Sequence, residues 1–426
     1  MNAAAARRPA RSAGAPDPEQ ALERVWAFCT ERDWEGIDPY DGLRATAPWV
    51  RWMRRTRTGR LVLIQAVRRC PVDVRPLLGV TPHRNPKALA LGLLAAARLC
   101  GLDRWRPVAL AEIDRLVRML LADARPTASG GRGWGYPFDW QSRAFFQPAG
   151  TPTVVCTGFV VRALDDVLGF LDESTGSAVR DVIAAASRFV LEDLHRTSDA
   201  QGFCFSYSPR DRSTVINASL LGAEIVARAA RMEGRSGPFD AITPALAWAL
   251  ARQRADGGWA YGEGPSHGFE DAFHTGFNLL SLRAVREAAG ALGLDAEALV
   301  PGERMLAGYR HYRSAFFDAD GRPWYYRNRP WPIDTHAAAV AILTFLAFRD
   351  HDPDAVARAR RTLHWSLGNL WDPGGWFVFR RGPRLTIRIP YLRWTQAWAL
   401  AALAEWIATT DPTPRPAIPA EAPPPA

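Results

Sequence analysis

An all-α ring of six helical hairpins, an (α/α)6 toroid, is the fold class the sequence predicts, and three observations predict it. Six nine-residue windows resemble one another: "NPKALALGL" from Asn85, "CTGFVVRAL" from Cys156, "NASLLGAEI" from Asn217, "HTGFNLLSL" from His274, "THAAAVAIL" from Thr335 and "TQAWALAAL" from Thr395. Their starts are 71, 61, 57, 61 and 60 residues apart, a period that marks stacked supersecondary units. An amphipathic stripe separates successive windows. Five of the six loops entering a window carry a glycine followed by aromatics, as in "GGRGWGYPFDW", "GGWAYGEG" and "GGWFVFRRG".

Each window opens on Asn, Cys, His or Thr and runs into Ala, Gly and Leu, the pattern of a capped, close-packed inner helix. The stripes between windows read as outer helices: Val108, Leu110, Ile113, Leu116, Val117 and Leu120 form one, and Val182, Ile183, Ala186, Phe189 and Val190 another. Thr243-Pro244 before "ALAWALARQ" predicts the start of a further outer helix. Hairpins of this length close into a ring whose inner helices all point one way, so the six entering loops meet at one mouth.

Residues 1–20, basic and small with no apolar run, predict a disordered arm rather than a secretion signal. The folded domain is expected over 21–408, and 409–426 is a Pro-rich tail that cannot pack. The longest apolar run, Ala88 to Cys100, is interrupted by Arg98 and too short to span a bilayer. Five widely spaced cysteines without a C-x-x-C predict neither a disulfide framework nor a standard zinc module, and fit a reducing, cytoplasmic setting. A net charge of +9 favours an anionic partner, with compositional bias toward arginine as the plain alternative.

The stretch Gln253-Arg254-Ala255-Asp256-Gly257-Gly258-Trp259 resembles the Gln-x-x-Asp-Gly-Gly/Ser-Trp repeat of terpenoid cyclase and protein prenyltransferase toroids. The hairpin arrangement over residues 20–408 is also similar to (α/α)6 carbohydrate-active enzymes such as uronate lyases, uronyl epimerases and six-hairpin glycosidases. Either resemblance implies the toroid; neither fixes a reaction, because one fold hosts many chemistries.

Candidate site residues follow from the converging loops. Arginines Arg143, Arg210, Arg212, Arg327, Arg329 and Arg388 suit bidentate binding of carboxylate or phosphate, and Trp140, Tyr326 and Trp394 suit stacking on sugar faces. The loop before His274 instead holds His267, Glu270, Asp271 and His274, acid-base residues on a basic rim. His274, at the opening of its inner helix, is the sharpest candidate, the plain alternative being a capping histidine. His336 and Asp334 have a similar standing, Asp139 could serve two-carboxylate chemistry, and Tyr136 and Tyr207 are expected to be exposed proton donors. The His267, Glu270, Asp271 and His274 set, with Cys156 and Cys204, matches no standard metal spacing, so neither metal nor cofactor is expected.

The sequence has neither an Asp-x-Asp-Asp nor an Asp-Asp-x-x-Asp motif, and Asp165-Asp166 falls within a helix. The expected function is therefore carbohydrate-directed: an enzyme of lyase, epimerase or glycoside hydrolase type acting on an acidic glycan or its precursor in polysaccharide biosynthesis. The alternatives are an isoprenoid-binding or cyclase-like enzyme with a divergent acid, and a non-catalytic toroid that binds a glycan or a biosynthetic protein partner. Nucleic acid is disfavoured because the basic residues are expected to ring a concave aromatic pocket.

Overall fold

A computed structural model describes residues 15–142 and 145–411. The assignments made for residues 1–14 and 412–426 lie outside the described residues, as does Arg143. Pro18–Gln20, placed in the arm by the sequence, form the first turn of α1, capped by Asp17 in a reciprocal pair with Gln20.

The chain order is α1 (Pro18–Thr30), α2 (Arg57–Arg69), α3 (Arg75–Leu78), α4 (Pro86–Leu99), α5 (Arg106–Ala122), α6 (Val154–Asp166), α7 (Glu173–Arg188), α8 (Ile216–Met232), α9 (Pro238–Ala251), α10 (Ala272–Ala291), α11 (Ala296–Leu299), α12 (Gly302–Ala315), α13 (Thr335–Ala347), α14 (Ala355–Asn369) and α15 (Ala397–Thr410). Inner helices α4, α6, α8, α10, α13 and α15 each pack on the next, and α15 returns to α4, closing the ring. Helices α1, α5, α7, α9, α12 and α14 form the outer layer. The windows therefore mark the inner helices, and the fold is an (α/α)6 toroid.

Outer helix α9 begins at Pro238 rather than at Thr243-Pro244, which lies inside it. The Thr243 hydroxyl donates to the Phe239 carbonyl at 2.8 Å, a local bond that helps the helix run through a residue without an N–H.

The Gln-x-x-Asp-Gly-Gly-Trp stretch fastens one hairpin to the next. The Gln253 side-chain amide donates to the carbonyls of Gly257 and Arg304, both at 2.9 Å, and its oxygen accepts from Arg304 Nε at 2.7 Å. The Trp259 indole N–H donates to the Ala249 carbonyl at 3.0 Å, and its buried ring lies where a Cβ on Gly308 would come within 2.7 Å. Only glycine lets α12 approach so closely.

The first entering loop has no glycine-aromatic turn and is the largest of the six. It leaves and rejoins the ring at one point, where Gly36 and His83 exchange backbone bonds of 3.1 and 3.0 Å. Between them α2, α3 and short helical turns enclose a small second core of Leu43, Ala45, Val50, Leu63, Ile64, Val67, Leu78 and Val80. This excursion lies across the mouth as a cap. Arg44 donates to the Pro137 carbonyl at 3.0 Å, Arg60 to Gln141 at 2.9 Å, and Arg75 to the Tyr391 hydroxyl at 3.1 Å.

Candidate functional site

The Asp271 carboxylate caps α10, accepting from the His274 backbone N–H at 2.9 Å. Its other oxygen lies 2.8 Å from His274 Nδ1, which fixes the ring's tautomer: Nδ1 carries the proton and Nε2 is left as an acceptor. His274 is thus the third residue of its helix, not the first. Its ring packs on Phe273 and Tyr261 with centroids 4.0 and 4.5 Å away, and is partly exposed to a narrow recess also lined by Asn217, Trp259, Asp271 and Asn278.

On the other side of Phe273, 4.7 Å between centroids, lies His336. Its imidazole is buried between Trp394 and Trp398, and neither ring nitrogen has a hydrogen-bond partner among the described residues. Burial pushes its pKa well below the histidine range, and the nearby cations Lys87 and Arg393 push the same way, so the ring is neutral.

Lys87, absent from the sequence-based candidates, reaches into the same aromatic centre. Its ammonium nitrogen lies 3.9 Å from the Phe159 centroid and 5.2 Å from those of Phe277 and Trp398. Burial, reinforced by Arg393, pulls the amine well below the usual lysine range. A signal for it exists in the repeat: the third window position holds Lys87 where the other copies hold Gly158, Ser219, Gly276, Ala337 and Ala397.

Several polar atoms at or near the starts of inner helices also lack partners among the described residues, namely Asn85 Nδ2, Asn217 Oδ1, Asn278 Oδ1 and Thr395 Oγ1. An unpartnered buried polar group costs about 1–3 kcal/mol, so such a set is a feature that asks for a polar occupant.

Tyr136 and Tyr207 meet beside this centre, hydroxyl to hydroxyl at 3.2 Å. Contrary to expectation Tyr207 is buried and Tyr136 only partly exposed, because Trp140 and Phe145 fold over them. Burial raises Tyr136 to about 12 and pushes Tyr207 well above the usual tyrosine value, so both keep their protons.

The remaining expected acids are engaged elsewhere. Asp334 is fully buried, capping His336 N at 3.0 Å and accepting from Arg380 at 2.7 Å and the Trp394 indole at 3.1 Å. Glu270 faces the next hairpin, bound to His311 Nε2 at 2.5 Å and to Arg254. Asp139 accepts from Ala149 N at 2.9 Å and pairs with Arg54 at 3.5 Å, while His267 bonds its own loop at the Glu263 carbonyl. The His267, Glu270, Asp271 and His274 set therefore does not converge.

Of the expected anion-binding arginines, Arg327 is paired with Asp256 and Arg388 with Asp372, both at 2.7 Å. Arg210, Arg212 and Arg329 are exposed, Arg329 lying over the Tyr326 ring. Trp394 is buried rather than presented for stacking. Arg393, also buried, bonds both oxygens of Asp38 and so anchors the cap to the sixth loop.

No protein-family model matches the chain, and no curated protein sequence is similar to it. Solved structures share its fold. A cellobiose 2-epimerase from Bacillus thermoamylovorans B4167 superposes with a TM-score of 0.56 at 11% identity, covering 76% of this chain and 88% of that one. An unsaturated glucuronyl hydrolase specific for heparin gives 0.55 at 12% identity over 92% and 97% of the two chains. A possible member of the GH105 family from Salmonella enterica gives 0.56 at 12% identity over 95% and 97%. At such identities the likeness is one of fold.

Proposed function

We propose that the chain is a carbohydrate-directed enzyme that transfers a proton, with His274 as the base and Asp271 holding its ring. The observation that carries this reading is the Asp271–His274 pair: a carboxylate on Nδ1 leaves Nε2 free to accept a proton from a carbon next to a sugar carbonyl. The neutral Tyr136–Tyr207 pair can donate to the oxygen that becomes an enolate, and an epimerisation is completed by a proton delivered to the opposite face of the carbon, since return by the same histidine from the same face restores the substrate. Hydrolysis by paired carboxylates is less well supported, because Asp334, Glu270 and Asp139 are each committed to other partners.

The unpartnered asparagine and threonine groups suit a hydroxyl-rich ligand, and the exposed Arg210, Arg212 and Arg329 suit an acidic one. The carbohydrate enzymes among the fold neighbours support the same class. A cytoplasmic role in building or modifying a polysaccharide or its precursor completes the reading, in keeping with five free cysteines.

A second reading, a non-catalytic glycan-binding toroid, is favoured by one observation: the recess at His274 is too narrow to admit a water molecule, let alone a sugar. Turnover requires the recess to open. The two readings separate in D2O. Reducing disaccharides and uronate oligosaccharides are incubated with the protein, and deuterium uptake at carbon is followed by NMR. Uptake that His274→Ala abolishes supports the enzyme; glycan binding without exchange supports the binding toroid.

A further inference from the structure

The outer face of the cap is apolar and basic in a way the mouth chemistry does not use. Five of the eight exposed large apolar side chains among the described residues fall within this one excursion: Trp49, Trp52, Val62, Val72 and Leu77. Trp49 is 62% exposed, Trp52 66% and Leu77 75%, far more than a monomer needs to leave in water. Residues 42–72 also contain eight arginines and no acidic residue or lysine. Arg51, Arg55 and Arg69 are exposed, with no ion pair among the described residues.

These side chains belong to one rigid unit. Thr46 N and Ala47 N both donate to the Leu78 carbonyl, at 2.9 and 3.1 Å, which sets the Trp49 turn beside Leu77. Gly59 packs directly on the Met53 backbone, which sets the start of α2 against the Trp52 turn. Val50 and Leu78, the neighbours of Trp49 and Leu77, are buried in the cap's own core, so the exposed residues are held outward. The opposite side of the cap carries Tyr40, which packs on Trp394 at 5.2 Å, and Arg68, which lies over Tyr40.

We propose that this outer face docks the protein peripherally on an anionic lipid surface. Indole rings sit at the headgroup level of a bilayer, aliphatic tips enter the acyl boundary, and arginines gain from negative headgroups. Charge complementarity selects an anionic surface, and the aliphatic Val62, Val72 and Leu77 favour lipid over nucleic acid, which gives such side chains nothing to enter. No helix among the described residues is long and apolar enough to cross a membrane, so the contact is one of surface. Because the cap also packs on the second and sixth entering loops, docking would act on an element fastened to the mouth.

The test is flotation of the full chain with vesicles of phosphatidylcholine containing about 30% phosphatidylglycerol, against phosphatidylcholine alone, at low and high salt. Binding is expected only to the anionic vesicles and is expected to weaken with salt. Trp49→Ser with Trp52→Ser is expected to lower partition about tenfold, and Arg51→Ala or Arg55→Ala about fivefold each, with unchanged circular dichroism. Absence of binding to anionic vesicles overturns the proposal. So do wild-type partition by the tryptophan variant, retention on DNA without vesicle binding, and a dimer that dissociates when the tryptophans are removed.

Discussion

Asp271 holds His274 twice, through its backbone N–H at 2.9 Å and through ring Nδ1 at 2.8 Å, so one carboxylate both starts α10 and orients an imidazole. The two functions are separable by substitution. Asp271→Asn keeps the cap but offers an amide that can no longer fix the tautomer. It is expected to lower kcat on an exchanging sugar by about 10²–10⁴-fold with little change in unfolding midpoint, and His274→Ala to do the same. Exchange and melting measured on the same samples check this; unchanged turnover in both variants removes His274 from the site.

Lys87 gives a prediction of opposite sign for stability. A lysine whose folded pKa lies below its unfolded value favours the fold most above the unfolded value, and stability is lost as pH falls from there through the folded value. Near neutral pH the buried amine is therefore a liability. Lys87→Met is expected to raise the urea midpoint at pH 7, with a smaller gain at pH 10. An equal effect at both pH values would show that charge is not the cause.

The cap is tied down by Asp38 and Arg393, both nearly inaccessible to solvent. Asp38→Asn leaves a buried guanidinium without its counter-charge and is expected to cost about 3–5 kcal/mol in equilibrium unfolding. Adding Arg393→Met should recover part of that loss. A double variant no more stable than the single one would show that the pair does not act as a unit.

Glu224 sets an acid limit at the far end of the barrel. Burial raises its pKa, but Arg162 and Arg228, at 2.8 and 2.9 Å, outweigh burial and bring it from 4.5 to about 2. Its contribution, about 3 kcal/mol by linkage, is present above pH 4.5 and lost as pH falls toward 2. Glu224→Gln is expected to flatten the stability curve across that window in acid titration followed by circular dichroism.

The Gln253–Trp259 clamp between two hairpins can be probed by unfolding. Trp259→Ala empties a buried site beside Gly308 and is expected to cost about 3–5 kcal/mol, while Gln253→Ala, which leaves two carbonyls unbonded, costs about 1–3 kcal/mol. Chemical unfolding of each variant reads both values.

The six hairpins and their inner and outer assignment were legible in the sequence, because periodicity, small residues and caps are local properties of neighbouring residues. Lys87 was missed, although it is the one large residue in its column of the repeat. The state of each acid was decided only in three dimensions, since the partners come from other hairpins: Asp334 meets Arg380, Glu270 meets His311, and Asp38 meets Arg393 across 355 positions of chain. The cap was likewise invisible. Its sequence repeats nothing, and only packing against the second and sixth loops lays it across the mouth. The sequence determined the ring and put the Asp271–His274 stretch at the start of an inner helix, and tertiary pairing decided which of the acids and arginines around it are already engaged.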